Sequence, residues 1–345
     1  MKVFHLIPRH QSGGAELAAA SMLDQPGLSG RFSLMAISGR VPLVGKHSRS
    51  IVSGYDGVNN PIGYLTILGI LLKAKPDYLV CSLWRSCLVG LLYKVFNPKV
   101  RLVFFRHNER CQHFVESITQ WLSLWACWCV LADSPTSAKS LNTKKYTLVI
   151  SFLLNKYPVA TSRPKPVDAS VICWGCAKRQ KRVDRAIDFI HKLNERGVGA
   201  TLKVYGSDGG ELQNLKDQVA RIGLKDKISF HGVVPHTFLM DAAAEYSFYL
   251  QLSQYEGFSM STAEAMQFGL LPVVTPVGEI GNYCIDNENA IVITDVGDLD
   301  KSVDKVMAVL GSQSCFDRLV GNSATTWSGC GTYREEFTAF IESLS

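Results

Sequence analysis

Two glutamates, Glu256 and Glu264, bracket the segment of this chain that best predicts chemistry. Apolar runs at 247–253 and 270–275 predict short strands, and residues 263–268 predict a helix that Gly269 ends. Strand, loop, helix and strand in this order form a unit of a parallel α/β sheet, which binds ligands at the carboxyl ends of its strands. Carboxylates there accept hydrogen bonds from hydroxyl groups. A polyol, such as a sugar or a ribose, is therefore the expected ligand.

Glu264 has a second interpretation. Ser261 and Glu264 have the S-x-x-E spacing of a capping box, in which the glutamate bonds the first backbone amide of its own helix. That role would place Glu264 in the first helical turn and would be purely structural. Glu256 has no such alternative, because no helix is predicted to begin at its loop. The residues alone leave both roles of Glu264 open.

The same segment closely resembles the signature of the retaining family-4 glycosyltransferases. The matching residues are Glu256-Gly257-Phe258, Glu264-Ala265-Met266, Gly269 and the run 272–274. Members of that family have the GT-B architecture, in which two Rossmann-like domains face each other across a cleft. The resemblance therefore implies an α/β fold with two such domains.

The resemblance also implies roles for single residues. Glu256 would bind the hydroxyls of the donor sugar, Glu264 the nucleotide ribose, and Lys181 the donor diphosphate. The candidate catalytic residues are His107, Lys181 and Glu256. The donor-binding candidates are Gly13, Gly14, Lys178, Arg179, Lys181, Gly206, Glu256, Gly257, Phe258, Ser259 and Glu264.

A basic loop precedes a helix predicted at 183–194. Five of the eight residues 178–185 are Lys or Arg, and Lys181 lies where the helix dipole disfavours cations. A diphosphate at this helix terminus would compensate their charge, although a solvated run of charges is the alternative. The family's lysine matches Lys181, but its arginine falls on Cys176. Either Lys178 or Arg179 substitutes for that arginine, or the diphosphate is held less firmly.

In the first half, a strand at 2–7 leads through Gly13 and Gly14 into a helix at 17–23. The glycine spacing matches neither the dinucleotide fingerprint nor a P-loop, so a tight turn and an anion site are both open. His107 and Asn108 follow a strand predicted at 102–105. A solvated loop position is one interpretation of His107, and the resemblance favours a role lining the cleft.

Length and charge together predict two domains. A chain of 345 residues is longer than a domain with one hydrophobic core ordinarily is. The segment 158–166 contains prolines that are typical of a linker between domains. We expect an acceptor domain at 1–157, a donor domain at 158–325, and a C-terminal helix in 326–345 that returns to the first domain. Residues 1–160 hold 18 Lys and Arg against 7 Asp and Glu, whereas residues 161–345 hold 18 against 23. The basic first half predicts an anionic partner.

An anionic membrane surface fits this basic half, with Arg101, Arg106 and Arg110 beside the apolar segment that holds Trp121, Trp125 and Trp128. A buried core helix is the alternative for the tryptophans. No secretory signal or membrane-spanning run is recognisable, and ten irregularly spaced cysteines are typical of reduced thiols. The expected location is the cytoplasm, peripherally at the inner face of the membrane.

The resulting hypothesis is a retaining glycosyltransferase of surface-polysaccharide biosynthesis. It would use a nucleotide-sugar donor of UDP or GDP type and a saccharide acceptor, linked to polyprenyl diphosphate. Neither a cofactor nor a metal is expected, because the lysine can supply a cation's charge. A nucleotide-sugar epimerase, a glycosidase with paired carboxylates and a nucleic-acid-binding protein are the alternatives. No nucleic-acid partner is expected, since no recognised motif for one is present.

Overall fold

The computed structural model describes residues 1–9, 13–39, 50–107, 111, 113–158 and 167–344. The chain forms two compact units. Unit 1 contains residues 1–154 and 331–345, and unit 2 contains residues 155–330. The boundaries expected from the sequence, after residues 157 and 325, lie close to these. The expected linker, 158–166, lies outside the described residues except for Pro158.

Unit 1 alternates strands and helices. Its strands are β1 (Val3–Arg9), β2 (Phe32–Ser38), β3 (Ser50–Val52), β4 (Tyr78–Ser82), β5 (Arg101–Arg106), β6 (Cys129–Ala132) and β7 (Thr147–Val149). Its helices up to this point are α1 (Gly14–Ala20), α2 (Pro61–Ala74), α3 (Leu83–Phe96), α4 (Phe114–Ala126) and α5 (Pro135–Lys139). The strands pair in parallel in the order β3-β2-β1-β4-β5-β6-β7. This is the strand order of a Rossmann-like sheet, whose switch point lies between β1 and β4.

The two faces of this sheet have different cores. Side chains of α2, α3 and α4, among them Ile67, Tyr93 and Leu124, pack on one face against a shared core that includes Leu6 of β1. Successive residues of a strand point to opposite faces, so His5 lies on the other side. There it stacks on Phe337, with the ring centroids 5.5 Å apart. Phe337 belongs to the last helix of the chain, α13 (Tyr333–Glu342), which packs within unit 1.

Unit 2 repeats the pattern. Its strands are β8 (Ser170–Trp174), β9 (Thr201–Tyr205), β10 (Ile228–Phe230), β11 (Phe248–Gln251), β12 (Leu271–Val274) and β13 (Ile291–Val292). Its helices are α6 (Val183–Glu195), α7 (Leu212–Arg221), α8 (His236–Ala243), α9 (Met260–Gln267), α10 (Ile280–Tyr283), α11 (Asp300–Leu310) and α12 (Gln313–Thr325). The parallel order β10-β9-β8-β11-β12-β13 is again Rossmann-like. The fold class predicted from the sequence, α/β with two Rossmann-like domains, is confirmed.

The switch point of unit 2 lies between β8 and β11, which pair directly through Phe248 and Val171. The loops that leave the carboxyl ends of these two strands therefore begin side by side. One loop leads to Lys181, and the other contains Glu256. The topology thus brings together two residues that are 75 positions apart in the sequence.

Two expectations about unit 1 need correction. The alternative of a buried core helix for the tryptophans is wrong, because Trp121 is 68% exposed and Trp125 is 78% exposed, both on α4. Arg106, expected at an anionic surface, is buried and donates to the side-chain oxygen of Gln120. Arg110 and Asn108 lie outside the described residues. In the described part of the chain, no helix is long and apolar enough to cross a membrane.

Candidate functional site

An ion pair joins the two loops at the switch point of unit 2. The Lys181 ammonium lies 2.8 Å from a carboxylate oxygen of Glu256. The Glu256 side chain is 7% exposed, whereas that of Lys181 is 24% exposed. The carboxylate therefore depends on the lysine for charge compensation, while the ammonium still reaches solvent. An anionic ligand above this pair would contact the lysine.

Two hydrogen bonds fix the distance between the loops. The Gln180 side-chain amide donates to the Tyr255 carbonyl at 2.8 Å, and the Gln254 backbone N–H donates to the Gln180 carbonyl at 2.9 Å. These residues lie one or two positions before Lys181 and Glu256, so the charged side chains are held at their bases. The resemblance placed both side chains on the donor, and the structure brings them together.

Gln251, at the end of β11, organises the interior of the glutamate loop. Its amide nitrogen donates to Glu256 at 3.1 Å and to the Ser259 hydroxyl at 2.8 Å. Its amide oxygen accepts from Tyr249 at 2.6 Å and from Ser261 at 2.9 Å. All four polar positions of this buried amide are thereby used. Glu256 is a preorganised acceptor whose orientation is set by Gln251 and Lys181.

Glycines shape the loops around the pair. An added Cβ at Gly278, whose φ is +57°, would overlap the carbonyl oxygen of Glu256. At Gly206, a donor-binding candidate that follows β9, an added Cβ would overlap the carbonyl of Gly175. Close backbone packing therefore requires glycine at both positions, whether or not a ligand is bound.

The carbonyls of the glutamate loop are already bonded. The Gly257 carbonyl accepts from the Glu279 backbone N–H at 2.9 Å, and the Phe258 carbonyl accepts from the Tyr283 hydroxyl at 2.8 Å. The Phe258 ring is buried and packs edge-on against Trp327. These contacts hold the loop from behind, so the part of the loop free to meet a ligand is its side-chain face at Glu256.

The capping box at Glu264 does not form. Helix α9 begins at Met260, with Ser259 as its N-cap, so Glu264 is the fifth helical residue and not in the first turn. Its carboxylate lies 3.1 Å from the His236 ring nitrogen Nε2 and accepts from the Trp174 indole at 3.3 Å. The hydrogen bond with Glu264 raises the pKa of His236. Glu264 thus makes tertiary contacts and does not cap its own helix.

The rest of the basic loop divides into two groups. Arg182 lies on Asp184 with contacts of 2.7 to 3.0 Å, so its charge is compensated locally. Lys178 and Arg179 are exposed and line a cavity of about 320 Å³ together with Arg182 and Asp184. Lys178 and Arg179 are therefore the cations that remain available to substitute for the family's arginine. Cys176 is half-buried on the same loop.

A D-x-D triplet, Asp298-Leu299-Asp300, lies at the start of α11. Asp298 accepts from the Asp300 backbone N–H, and Asp300 pairs with Lys192 and Arg196. Asp300 is therefore engaged in the packing of α6 on α11, and Asp298 bonds the start of α11. Among the described residues, no cluster of three His, Cys, Asp or Glu side chains has the geometry of a metal site.

Unit 1 holds the remaining predicted site residues. Gly13 is the N-cap of α1 and Gly14 its first residue, and the Glu16 carboxylate lies against Gly13. His107 follows β5 and is buried with 8% exposure, so the interpretation as a solvated loop residue is wrong. Roles in donor binding for the glycines and in catalysis for His107 stay predictions.

Ser82 lies between two buried histidines. Its hydroxyl oxygen is 2.7 Å from His5 Nε2 and 2.8 Å from His107 Nε2. Burial lowers the pKa of each histidine to about 3, so both are neutral near pH 7. One hydroxyl donates a single proton, so one histidine accepts through Nε2 and the other donates from Nε2. The two rings must therefore be opposite tautomers, and Ser82 couples the tautomer of His107 to that of His5.

The sequence interpretation missed Gln251, His236 and Ser82. Gln251 carried a signal, because it is a single amide in the apolar run 248–252. His236 and Ser82 carried none, since each acts on a residue more than 20 positions away.

Comparisons with known proteins find similar sequences and similar folds. Residues 162–324 match the family described as glycosyl transferases group 1. The lipopolysaccharide core biosynthesis mannosyltransferase LpsB of Rhizobium meliloti is 29% identical over 70% of this chain and 72% of its own length. The mannosylfructose-phosphate synthase of Agrobacterium fabrum is 34% identical over 30% of this chain and 25% of its own. Some curated relatives are thus matched over only about a quarter of their length.

The structure of Anabaena Alr3699/HepE in complex with UDP and glucose superposes with a TM-score of 0.81. The match covers 100% of this chain and 99% of that one, at 18% sequence identity. A likeness at this identity shows the fold, which is the GT-B fold of glycosyltransferases. Residues 162–324 thus match the group 1 glycosyltransferases, and the chain has their GT-B fold, with the glutamate motif at the switch point of unit 2.

Proposed function

We propose that this protein transfers a hexose from a nucleoside diphosphate sugar to a hydroxyl of a saccharide acceptor, with retention of the anomeric configuration. In this reaction the bond between the anomeric carbon and the diphosphate oxygen breaks, and a bond to the acceptor oxygen forms. The nucleoside diphosphate leaves with the bonding electron pair, and one of its oxygens takes up the proton of the acceptor hydroxyl. Negative charge therefore develops on the diphosphate, where a cation stabilises the transition state.

The Lys181–Glu256 pair is the observation that carries this proposal. Lys181 keeps a quarter of its side chain open to solvent and supplies a positive charge for the leaving diphosphate. Glu256, fixed by Gln251, offers a buried carboxylate to sugar hydroxyls. Glu264 is proposed to accept from the nucleotide ribose once its contact with His236 is exchanged for the ligand.

A UDP or GDP sugar is the proposed donor, with no further cofactor. HepE is described in complex with UDP and glucose, and LpsB is named as a mannosyltransferase of the lipopolysaccharide core. The first name supports the nucleotide-sugar donor, and the second supports a role in surface-polysaccharide synthesis. The proposed acceptor is a saccharide linked to polyprenyl diphosphate, at the cytoplasmic face of a membrane that the basic first half would contact.

The test is a thermal-shift screen across UDP-, GDP- and ADP-sugars, because a ligand that binds only the folded state raises its melting temperature. We expect one nucleotide class to stand out, and NMR of the product to show an α-linkage from an α-linked donor. Interconversion of the donor sugar without acceptor would indicate an epimerase. Hydrolysis of glycosides without nucleotide would indicate a glycosidase, and either result would refute the proposal.

A further inference from the structure

Exposed apolar side chains are concentrated on three helices of unit 1. In the described residues, 23 large hydrophobic side chains are exposed, of which 19 lie in unit 1 and 4 in unit 2. Thirteen of those in unit 1 project from α2, α3 and α4. These thirteen, which we name the three-helix apolar face, are Ile62, Leu65, Leu72, Leu88, Leu92, Val95, Phe96, Phe114, Val115, Ile118, Trp121, Leu122 and Trp125.

The thirteen side chains form one surface. The three helices pack on the same hydrophobic core of the sheet, and α3 lies between α2 and α4. Their outward sides therefore point away from the sheet together. A shallow depression of about 430 Å³, lined by Pro61, Tyr64 and Leu65 of α2 and by Trp84 and Leu88 of α3, joins two of the helices.

The patch is larger than a soluble monomer ordinarily exposes. An aromatic side chain presents about 150–250 Å². Trp121 and Trp125, at 68% and 78% exposure, therefore contribute roughly 300 Å² between them. The largest apolar patch of a typical monomer is about 300–600 Å² in total. Eleven further side chains bring this face beyond that range, which indicates a surface that binds a partner.

Charge decides which partner this is. Helices α2 and α3 contain no Asp or Glu, and Glu116 is the acidic residue of α4. Cations lie at the margins of the face: Lys73 and Lys75 at the end of α2, and Lys94 and Lys99 at the end of α3. Arg101 lies over the Trp128 ring at 5.4 Å. Apolar and aromatic side chains on helices with one acidic residue among them, bordered by these cations, match the interface of an anionic bilayer.

We infer that the three-helix apolar face inserts into the headgroup and acyl boundary of an anionic membrane. This inference rests on the proposed membrane association and specifies its contact surface and mode. Binding through lysines alone would be released by salt, because salt screens exposed charges. Insertion of tryptophans adds a component that salt does not remove. Charge alone would predict that high salt releases the protein fully from the membrane. We therefore expect the release by high salt to be incomplete.

The test is co-sedimentation of the full chain with vesicles of phosphatidylcholine, alone or with about 30% phosphatidylglycerol. The compared proteins are the wild type, Trp121→Gln/Trp125→Gln, and the control Met240→Gln/Ile285→Gln, which removes two exposed apolar side chains from unit 2. Withdrawing only about 55 Å² of apolar surface from water is worth roughly ten-fold in affinity. We expect the tryptophan variant to bind at least ten-fold more weakly and the control to bind like the wild type.

Two further readouts separate the outcomes. Wild-type tryptophan fluorescence should shift to shorter wavelength on the anionic vesicles and be quenched by brominated lipid, and part of the binding should persist in about 0.5 M NaCl. The inference would be overturned if salt abolished vesicle binding and the tryptophan variant still bound vesicles. A purely electrostatic membrane association would then remain. A dimer in solution that the tryptophan variant dissociates, without vesicle binding, would assign the face to a second copy instead. Nucleotide-dependent thermal shifts in the same variant report the proposed transferase function separately.

Discussion

Replacing Lys181 with methionine separates its two possible roles, which are neutralising the Glu256 carboxylate and binding the donor diphosphate. Lys181→Met keeps the length of the side chain but removes the charge opposite the buried Glu256 carboxylate, 2.8 Å away. Breaking a fully buried ion pair costs about 3–5 kcal/mol, because the remaining charge is uncompensated. Since Lys181 is 24% exposed and water reaches its position, we expect a loss of about 1–3 kcal/mol in the free energy of unfolding.

A matched control comes from the same unit. Lys192 pairs with Asp300 at 3.1 Å, but both side chains are more than a third exposed. Lys192→Met should therefore change the free energy of unfolding by no more than about 1 kcal/mol. Urea denaturation of both variants without ligand measures the difference.

The double variant Lys181→Met/Glu256→Gln then decides the role of the lysine. With no carboxylate left to compensate, it should recover at least about 1 kcal/mol relative to Lys181→Met alone, while the Gln251 contact can persist. If Lys181 binds the donor diphosphate, the thermal shift produced by UDP or GDP should be lost in both variants. A double variant that regains both its stability and the full nucleotide shift would refute the diphosphate role. Lys181 would then serve only to neutralise Glu256.

Three further perturbations follow from the contacts. His236→Gln should remove a pH-dependent stabilisation of the folded state. Because Glu264 raises the pKa of His236, the ion pair stabilises the fold fully below about pH 6.5, and this stabilisation is lost as pH rises through the folded-state pKa. The wild-type advantage over this variant should shrink between about pH 6 and pH 8 in urea titrations, and a constant difference would contradict it. Gly278→Ala should lower the free energy of unfolding by about 2 kcal/mol or more and weaken nucleotide binding. The control Gly321→Ala, where an added Cβ meets open space on α12, should leave the free energy of unfolding unchanged or raise it in the same assay. Ser82→Ala should lower the free energy of unfolding by about 1–3 kcal/mol and change the ¹⁵N chemical shifts of His107 that report its tautomer. The control Ser86→Ala removes a buried hydroxyl that has no partner among the described residues, and it should change neither quantity.

Local patterns predicted most elements around the site. The strand predicted at 102–105 lies within β5, which is one residue longer at each end, and the helix predicted at 183–194 is one residue longer in the structure. Each combines a strong apolar pattern with clear ends. Strand β2 was not predicted, although its residues 32–38 are all buried. A strand buried on both faces lacks the alternation that marks a half-exposed one.

The glutamate site was predictable in its members but not in its contacts. The motif pointed to Glu256 and Glu264, and the basic loop pointed to Lys181. The capping-box pattern, however, misassigned the helix start by placing it after Ser261 instead of at Met260. The left-handed backbone of Ser259 and its bond with Gln251 set that start, and neither follows from local propensity. Partners such as His236 and Trp174 depend on the tertiary fold.

Helix α4 shows why its apolar pattern alone could not reveal which face is buried. A periodic apolar stripe ordinarily faces the core, and that rule favoured buried tryptophans. In this helix the buried side chains are the polar Thr119 and Ser123, and Leu124 is only partly buried against the core, while Trp121 and Trp125 point to solvent. Thr119 satisfies its hydroxyl on the Val115 carbonyl within the helix itself, at 2.7 Å, so its burial costs little. A helix oriented in this way gives up apolar burial that the opposite orientation would supply. A partner that covers the outward stripe would compensate that loss, which is the physical reason for proposing a membrane as the partner.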